Sequence, residues 1–363
     1  ALRVVSALSS MALNEHPTPL QAAGQHLGAH YVLNGSHVGH PLHPDQLTFT
    51  AQLHRTDTQE LIWSDRFAGS LGDLLSPQSE SGLRIAEGVG QALLRQSAQQ
   101  ALSRPLPTLP SHTMLLAGIQ LMHRSSAADF DTSRRVLSAL VERHPRAALS
   151  RAWLAKWYVL NTTRGWSEGN DADTTEAWDL TQRALDAEPG HPLAMAMQGF
   201  VQLHLKRDTD TALRQLTQAV ELHPSDALSW LFKSVAHAFD GAPALAVQAS
   251  DTALALSPLD PLRYYYESLA ASSHLCAGQL DRAIALCESS LRQNRHHPST
   301  WRAYIAALHA AGEGARAREA ARCLLEIAPQ TTVRAYLERS AGAQTALGER
   351  VASGMAAAGI PQQ

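Results

Sequence analysis

The chain has 363 residues, of which 45% are hydrophobic and 17% are charged, and its formal net charge is −3. This length predicts two or more domains with packed cores, and the near-balanced charge argues against direct binding to nucleic acid or to an anionic membrane. No segment approaches the roughly 20 apolar residues of a membrane span, and no basic segment followed by an apolar one opens the sequence.

Apolar and polar side chains alternate with a period near two in three segments of residues 1–70, which predicts strands. These segments are "LRVVSAL", "HYVLNGSHV" and "LTFTAQLHRTDTQELIWSDRFAG", and "RTDTQE" within the last one predicts a hairpin turn. A short helix is predicted at "TPLQAAGQHLGA" and a longer one at "SGLRIAEGVGQALLRQSAQQAL". The order β-α-β-β-β-α indicates a small α/β domain with a mixed sheet over residues 1–102.

A histidine-rich segment, "NGSHVGHPLHPD", places His37, His40 and His43 at a constant spacing of three between two predicted strands. Pro41 and Pro44 disfavour a helix, so the three imidazoles are not expected on one face. Zinc requires convergent ligands with supporting hydrogen bonds. We therefore predict a loop without a metal site. The alternative, a metal-responsive sensor, would use these three histidines as ligands.

A proline-rich linker is predicted at residues 103–111, and helical sequence then repeats about every 34 residues over 112–345. Each of the later repeats has one residue, a proline in most of them, that marks the end of its second helix. An alanine stands 12 residues before each of these marks. The segment "NTTRGWSEGNDA" interrupts the spacing as an insertion, and residues 346–363 are left as a C-terminal tail. The five marks are Pro189, Pro224, Pro258, Arg295 and Pro329.

This register resembles the tetratricopeptide repeat family. In that family one position of the first helix is usually a glycine. Here this position is Gly199 in one repeat and Ser234, Ser268 and Ile305 in others. The resemblance implies stacked helical hairpins that form a superhelix with a concave groove for a protein or peptide.

The amino-terminal region carries a second resemblance, in "YVLNGS", "TAQL" and "WSDRF". These segments are similar to the amino-terminal domain of TolB and to FlgO. That domain commonly precedes tetratricopeptide repeats in CadC-like winged-helix regulators and downstream of class III nucleotide cyclase domains, which implies sensing or interaction without chemistry of its own. The family has a further strand and helix before the matching part. We therefore expect an amino-terminally truncated domain whose exposed sheet edge is completed by a neighbouring segment or a partner. The predicted fold class is α+β, with this domain followed by an all-α repeat superhelix.

Motifs of known chemistry are absent from the sequence: there is no Walker loop, no HExxH, no GxSxG elbow and no glycine-rich phosphate loop. We therefore predict no catalytic residues, no cofactor and no enzymatic activity.

Candidate partner-binding residues lie on the predicted first helices, off the core stripe, where they face the groove. Their aromatic, cationic and imidazole groups suit an extended peptide or a helix. Trp166, in the insertion, either contacts a partner or folds back to cap the groove. The groove candidates are His204, Phe239, Tyr265, Arg302 and His309.

These observations favour the non-catalytic sensory and protein-interaction region of a bacterial signalling protein, with a transcriptional regulator as the leading hypothesis. The alternatives are the regulatory half of a class III nucleotide cyclase and a stand-alone envelope or flagellar assembly scaffold. The partner is a protein, a peptide or a second copy of the chain. Three cysteines without a pairing motif favour the cytoplasm over the periplasm.

Overall fold

A computed structural model describes residues 20–40, 43–70, 72, 79–167 and 171–363 of the chain. By its contacts the chain divides into two units, one of residues 1–99 with 259–261 and one of residues 100–258 with 262–363. The first predicted strand, "LRVVSAL", lies outside the described residues.

The described residues of the first unit form a helix, three strands and the start of a long helix. Its described strands form an antiparallel sheet in the order β1-β2-β3. Residues 56–58 make the predicted hairpin turn between β2 and β3. Only this antiparallel part of the predicted mixed sheet falls within the described residues. The elements are α1 Leu20–Leu27, β1 Tyr31–His40, β2 His43–Arg55, β3 Leu61–Ser70 and α2 Glu80–Ser103.

The core of this unit lies between the sheet and α2. Leu53 of β2 is buried against Ala92 and Leu93 of α2. A Cβ atom on Gly88 would approach the ring of Trp63 to 2.6 Å, so glycine at this position lets the helix lie directly on the indole. The alternating pattern of the strands is therefore explained by one covered face.

The strands extend further into the histidine-rich segment than predicted. His37 is exposed within β1 and pairs with Phe49, and His40 pairs with His43 across the hairpin. The predicted strand is confirmed through residue 38, whereas the predicted loop is wrong at Gly39, His40 and His43, where the strands continue because antiparallel pairing satisfies their backbone groups. No group of three His, Cys, Asp or Glu side chains placed to hold a metal occurs where the structure describes side chains.

The second unit is helical. The predicted linker contains a short 3-10 turn, Leu106–Thr108. In the described part of the chain, six helical hairpins come after it, and they are followed by two further helices, α15 Val333–Arg339 and α16 Ala346–Ala357. Residues 346–363, predicted as a tail, thus contain α16. The hairpins are α3 Ser111–Met122 with α4 Ala127–Arg143, α5 Ala148–Thr163 with α6 Asp171–Ala187, α7 Pro192–His204 with α8 Thr209–Leu222, α9 Ala227–Phe239 with α10 Pro243–Leu256, α11 Arg263–Cys276 with α12 Leu280–Gln293, and α13 Pro298–Ala310 with α14 Gly314–Ile327.

Small residues and caps explain why these helices form and pair. The side chains of Ser126, Asp208 and Asp226 accept hydrogen bonds from the first turns of α4, α8 and α9. The repeated alanines are 0–1% exposed, which confirms that they mark the contact between helices. They are Ala177, Ala212, Ala246, Ala283 and Ala317.

None of the helices in the described ranges is long and apolar enough to cross a membrane. Cys276, Cys287 and Cys323 are free thiols, and burial raises the pKa of Cys287.

Replacing Gly199 with alanine is expected to destabilise the repeats by about 1–3 kcal/mol. An added Cβ atom would lie 2.6 Å from Cγ of Leu216, which is fully buried and has no room to move. Alanine gains about 1 kcal/mol of helix propensity over glycine, so a net loss isolates the clash. Urea unfolding measures the effect. Gly314→Ala is the control, because its Cβ atom would meet nothing closer than 3.6 Å. A stability gain in Gly199→Ala, or equal losses in both variants, would contradict this account.

Candidate functional site

The first helices of successive hairpins pack side by side and form the surface that we call the groove. It consists of α3, α5, α7, α9, α11 and α13. The C-terminal segment, residues 328–363, returns across this surface, and α16 contacts α9, α11 and α13. A helix of the chain itself therefore occupies the part of the groove that α9, α11 and α13 form.

Close backbone approach seats α16 on α13. A Cβ atom on Gly354 would lie 2.8 Å from Cα of Ala306, so any larger side chain pushes the two helices apart. Met355 is 0% exposed and Ile360, just beyond the helix, is 2% exposed. The C-terminal segment is thus packed as core rather than resting on the surface.

Polar contacts tie the same segment at both ends. The guanidinium of Arg350 donates a hydrogen bond to the carbonyl of Leu275 in α11. The backbone N–H of Val333 donates to the carbonyl of Pro361 at 2.9 Å, which joins the start of α15 to the residues after α16. These bonds hold the seated segment at both of its ends.

A cavity of about 310 Å³ lies between the groove and the C-terminal segment. Its walls come from the ends of α5, α7 and α9, the start of α13, and residues of α15 and α16. The volume is at the lower end of the range for small-molecule sites. The larger apolar groups in the walls are Trp166, Phe239, Leu269, Tyr336, Leu347 and Val351.

The charged side chains in the lining of the cavity are arginines. No aspartate or glutamate occurs among its described lining residues. Of the lining arginines, Arg124 forms an ion pair with a described carboxylate, that of Asp129, at 3.3 Å. The basic lining groups are Arg124, Arg164, Arg302, Arg339, His123, His204, His296 and His297.

A buried hydrogen-bond network backs this lining. The Lys156 ammonium, which is 0% exposed, lies 3.3 Å from Nε2 of His123. An ammonium only donates, so Nε2 accepts and Nδ1 carries the proton that it donates to the hydroxyl of Tyr264 at 2.7 Å. Burial, followed by the charges of Lys156 and Arg164, holds the pKa of His123 well below its ordinary value. His123 is therefore a neutral imidazole that links the buried Lys156 ammonium to the Tyr264 hydroxyl.

His297, at the start of α13, is fixed by a second chain of hydrogen bonds. Ser290 donates to the carbonyl of Tyr264 at 2.8 Å, so the Thr300 hydroxyl must donate to Ser290. Nδ1 of His297 then donates to Thr300 at 2.8 Å. This order leaves Nε2 of His297 without a proton. Burial, and then the charges of Arg164, Arg302 and Lys156, lower the pKa of His297 to about 3.

Acidification from pH 7 to pH 5 is expected to destabilise the repeats through these buried histidines. Burial also lowers the pKa of His204 to about 4. Below pH 6.5, the ordinary pKa of histidine, the unfolded chain binds protons at these positions that the folded chain excludes. The free energy of unfolding therefore decreases as the pH is lowered. His297 alone contributes about 2 kcal/mol of that loss at pH 5.

Urea unfolding at pH 7, 6 and 5 tests this sign, because His297→Gln should flatten the dependence whatever its effect at pH 7. Exposed His309, replaced in the same way, is the control. Parallel pH profiles for the wild type and His297→Gln would show that His297 is not the group responsible.

The predicted contact residues fall into two groups. His204, Phe239, Arg302 and Trp166 all line the cavity. Trp166 lies edge-on to Phe130 with 4.6 Å between ring centroids, so this side chain packs onto the repeats rather than projecting from them.

The other two predicted residues lie elsewhere. The prediction that Tyr265 faces an open groove is wrong: it is 4% exposed, and its ring lies 4.4 Å from the Lys156 ammonium. It follows Tyr264 in a run of three buried tyrosines that turns inward. His309 is exposed at the far end of α13 from the cavity, because two helical turns separate it from Arg302.

Several lining residues were missed from the sequence, notably Arg164, Arg339 and His297. Arg164 directly precedes Gly165 and Trp166 in the insertion, and its guanidinium lies 5.2 Å from the Trp166 ring. An arginine beside the singled-out tryptophan was the available signal.

Comparison with known proteins agrees with this architecture. The tetratricopeptide repeat family profile matches residues 206–261, which contain α8, α9 and α10. The matched residues carry tetratricopeptide repeats, and the helical unit has the same kind of fold, one that is typically non-catalytic and serves as a protein-interaction scaffold. A chain in the crystal structure of the APC/C hetero-tetramer Cut9-Hcn1 is 13% identical, with a TM-score of 0.54 over 74% of this chain and 52% of that one. That likeness shows the fold.

Two further proteins are similar over part of the chain. A thermophilic tetratricopeptide protein of Thermus thermophilus is 19% identical, with a TM-score of 0.42, and covers 55% of this chain and 99% of its own. A protein of Rhizobium meliloti (strain 1021) named "Putative adenylate cyclase 3" is 25% identical over 191 residues, which are 53% of this chain and 32% of the relative. This chain spans about a third of that curated relative.

Proposed function

We propose that this chain is a non-catalytic sensory and protein-interaction region of a bacterial signalling protein, and that it controls an output domain of the same protein. Tetratricopeptide repeats supply the interaction scaffold. The similarity to a much longer protein named as an adenylate cyclase supports the link to an output domain.

The groove, in this proposal, binds an amphipathic helix. The observation that carries it is α16, a helix already seated there with Leu347, Val351 and Met355 buried at a spacing of four residues. A partner helix with the same stripe would replace α16 and contact Phe239, His204, Arg302 and Trp166. The chain then has a self-occupied state and a partner-bound state.

The cyclase setting is favoured over the transcriptional regulator and the assembly scaffold, because it alone is supported by a relative. The output domain would produce cyclic AMP, and α16 leaving the groove would change its rate.

The native gene product tests the link to an output domain. Its intact mass and its conversion of ATP into cyclic AMP are measured, alongside binding to promoter DNA. A longer product with cyclase activity supports the proposal. A longer product that binds promoter DNA instead would favour the regulator, and a product without any output domain would leave the scaffold.

A further inference from the structure

Three arginines that line the cavity have no carboxylate partner in the described parts of the chain. Arg164 donates to the carbonyl of Arg124 at 3.1 Å, and Arg302 donates to the hydroxyl of Ser299 at 2.9 Å. Arg339 makes no ion pair with a described residue. Each guanidinium has five N–H donors in a rigid fork, so most donors of Arg164 and Arg302 remain unused.

All three side chains are half-buried, so their unmatched charges are costly. A cation removed from water is stabilised only when an anion and hydrogen bonds replace the lost solvation. The cost is visible in Arg164 and Arg302, since burial lowers the pKa of both guanidinium groups. Outside the cavity, some arginines have carboxylate partners, such as Arg316 with Glu288 and Arg334 with Glu338. The cavity brings four arginines together, and no described lining residue is an aspartate or glutamate.

We propose that the cavity binds a small organic anion, with a phosphate or carboxylate group held by Arg164, Arg302 and Arg339. Planar guanidinium groups bind the two oxygens of such groups with paired hydrogen bonds. Trp166 and Phe239 supply an aromatic and apolar wall for a compact body attached to the anionic group.

The size of the cavity favours a small molecule over a polypeptide. The lining runs from the turn after α3 to α16, so the groove and the C-terminal segment both contribute walls. About 310 Å³ is enough for one small molecule and lies at the lower end of the range for ligand sites. The lining groups from α15 and α16 are lost when the C-terminal segment leaves, so the anion would stabilise the segment in its seated position.

Calorimetry and thermal unfolding with pyrophosphate, succinate and AMP, at constant ionic strength, test this site on the full chain. We expect saturable binding tighter than about 1 mM for at least one probe, with a raised melting temperature. Preference for pyrophosphate or AMP would assign a phosphate group, and preference for succinate a carboxylate. Either result supports the proposal.

Matched variants decide whether the binding is in the cavity. Arg302→Gln and Arg164→Gln should weaken it about tenfold or more, whereas Arg302→Lys should retain part of it because the charge remains. Arg282→Gln removes one exposed positive charge from α12, outside the cavity lining, and should change affinity less than twofold.

The proposal is overturned by no saturable binding of any probe, or by equal weakening in Arg282→Gln and Arg302→Gln. Circular dichroism of each variant confirms folding, and Arg302→Lys keeps the test valid if Arg302→Gln unfolds. These measurements involve neither a partner helix nor an output domain, so their failure leaves the proposed function standing.

Discussion

Replacing Gly354 with leucine is expected to expel α16 from the groove while leaving the hairpins folded. The Cβ atom alone would lie 2.8 Å from Cα of Ala306, a backbone atom that has no room to yield. Expulsion exposes Met355 and Ile360, and each buried side chain of this size contributes about 1.5–3 kcal/mol. Leucine is the better helix former by nearly 1 kcal/mol, so α16 itself is not weakened.

Limited trypsin digestion followed by mass spectrometry measures the release. Arg350 lies within α16 and donates to the carbonyl of Leu275, so it is protected while the helix is seated. Cleavage after Arg350 should become at least about tenfold faster in Gly354→Leu, as expected for the loss of more than 1.4 kcal/mol of docking free energy. Ala357→Leu, on the exposed side of the same helix, is the matched control and should be cleaved like the wild type.

A peptide of residues 341–363 supplies the second readout. Added in trans with a fluorescent label, it should bind Gly354→Leu, whose groove is vacant, and should bind the wild type far more weakly. Equal cleavage of the two leucine variants would mean that α16 is not held by this contact. Equal peptide binding to variant and wild type would mean that the groove is not its site.

Truncation of Lys156 to alanine is expected to destabilise the repeats by about 3–5 kcal/mol. The whole side chain is buried, so alanine leaves a cavity in the core. The ammonium also lies 4.9 Å from the Trp153 ring centroid and 4.4 Å from that of Tyr265, so two cation–π contacts are lost. Nε2 of His123 loses the donor that holds its tautomer.

Methionine at position 156 separates these contributions. It fills nearly the same volume without a buried charge, and replacing buried charges by apolar groups is often neutral. We therefore expect Lys156→Met to lose less than half as much stability as Lys156→Ala in urea unfolding. Lys206→Ala is the control, since exposed Lys206 lies 3.6 Å from the Trp178 ring and such a contact contributes about 0.5–1 kcal/mol. Equal losses for alanine and methionine would assign the effect to the charge rather than to packing.

The repeats were predictable because their packing rule is local. An alanine at each close contact and a proline after most second helices recur at fixed offsets, so the spacing alone located the hairpins. The final segment broke that rule. "ALGERVASGM" carries few large apolar residues. Glycine is needed at position 354 because the backbone of Ala306, far away in sequence, lies against it.

The candidate site was only partly predictable for the same reason. Helix spacing correctly brought His204 and Arg302 to one surface, yet could not show that the C-terminal segment covers it. Lys156 stands alone among apolar and aromatic residues in "RAWLAKWYVL", a pattern that is compatible with a side chain reaching solvent along the helix. Its burial is decided by the packing of α11, whose Tyr265 closes over it. For Tyr265 the error came from the run of three tyrosines, all of which are buried, so helical spacing could not single out one as facing the groove.

The return of α16 across α9, α11 and α13 changes how the array should unfold. In a linear stack each repeat is stabilised only by its neighbours, and the terminal repeats fray first. Here α16 contacts the first helix of each of the last three hairpins, so these hairpins cannot unfold one at a time from the carboxyl-terminal end. Native-state hydrogen exchange should find these hairpins opening together as one cooperative unit, with fraying left to the other end of the stack.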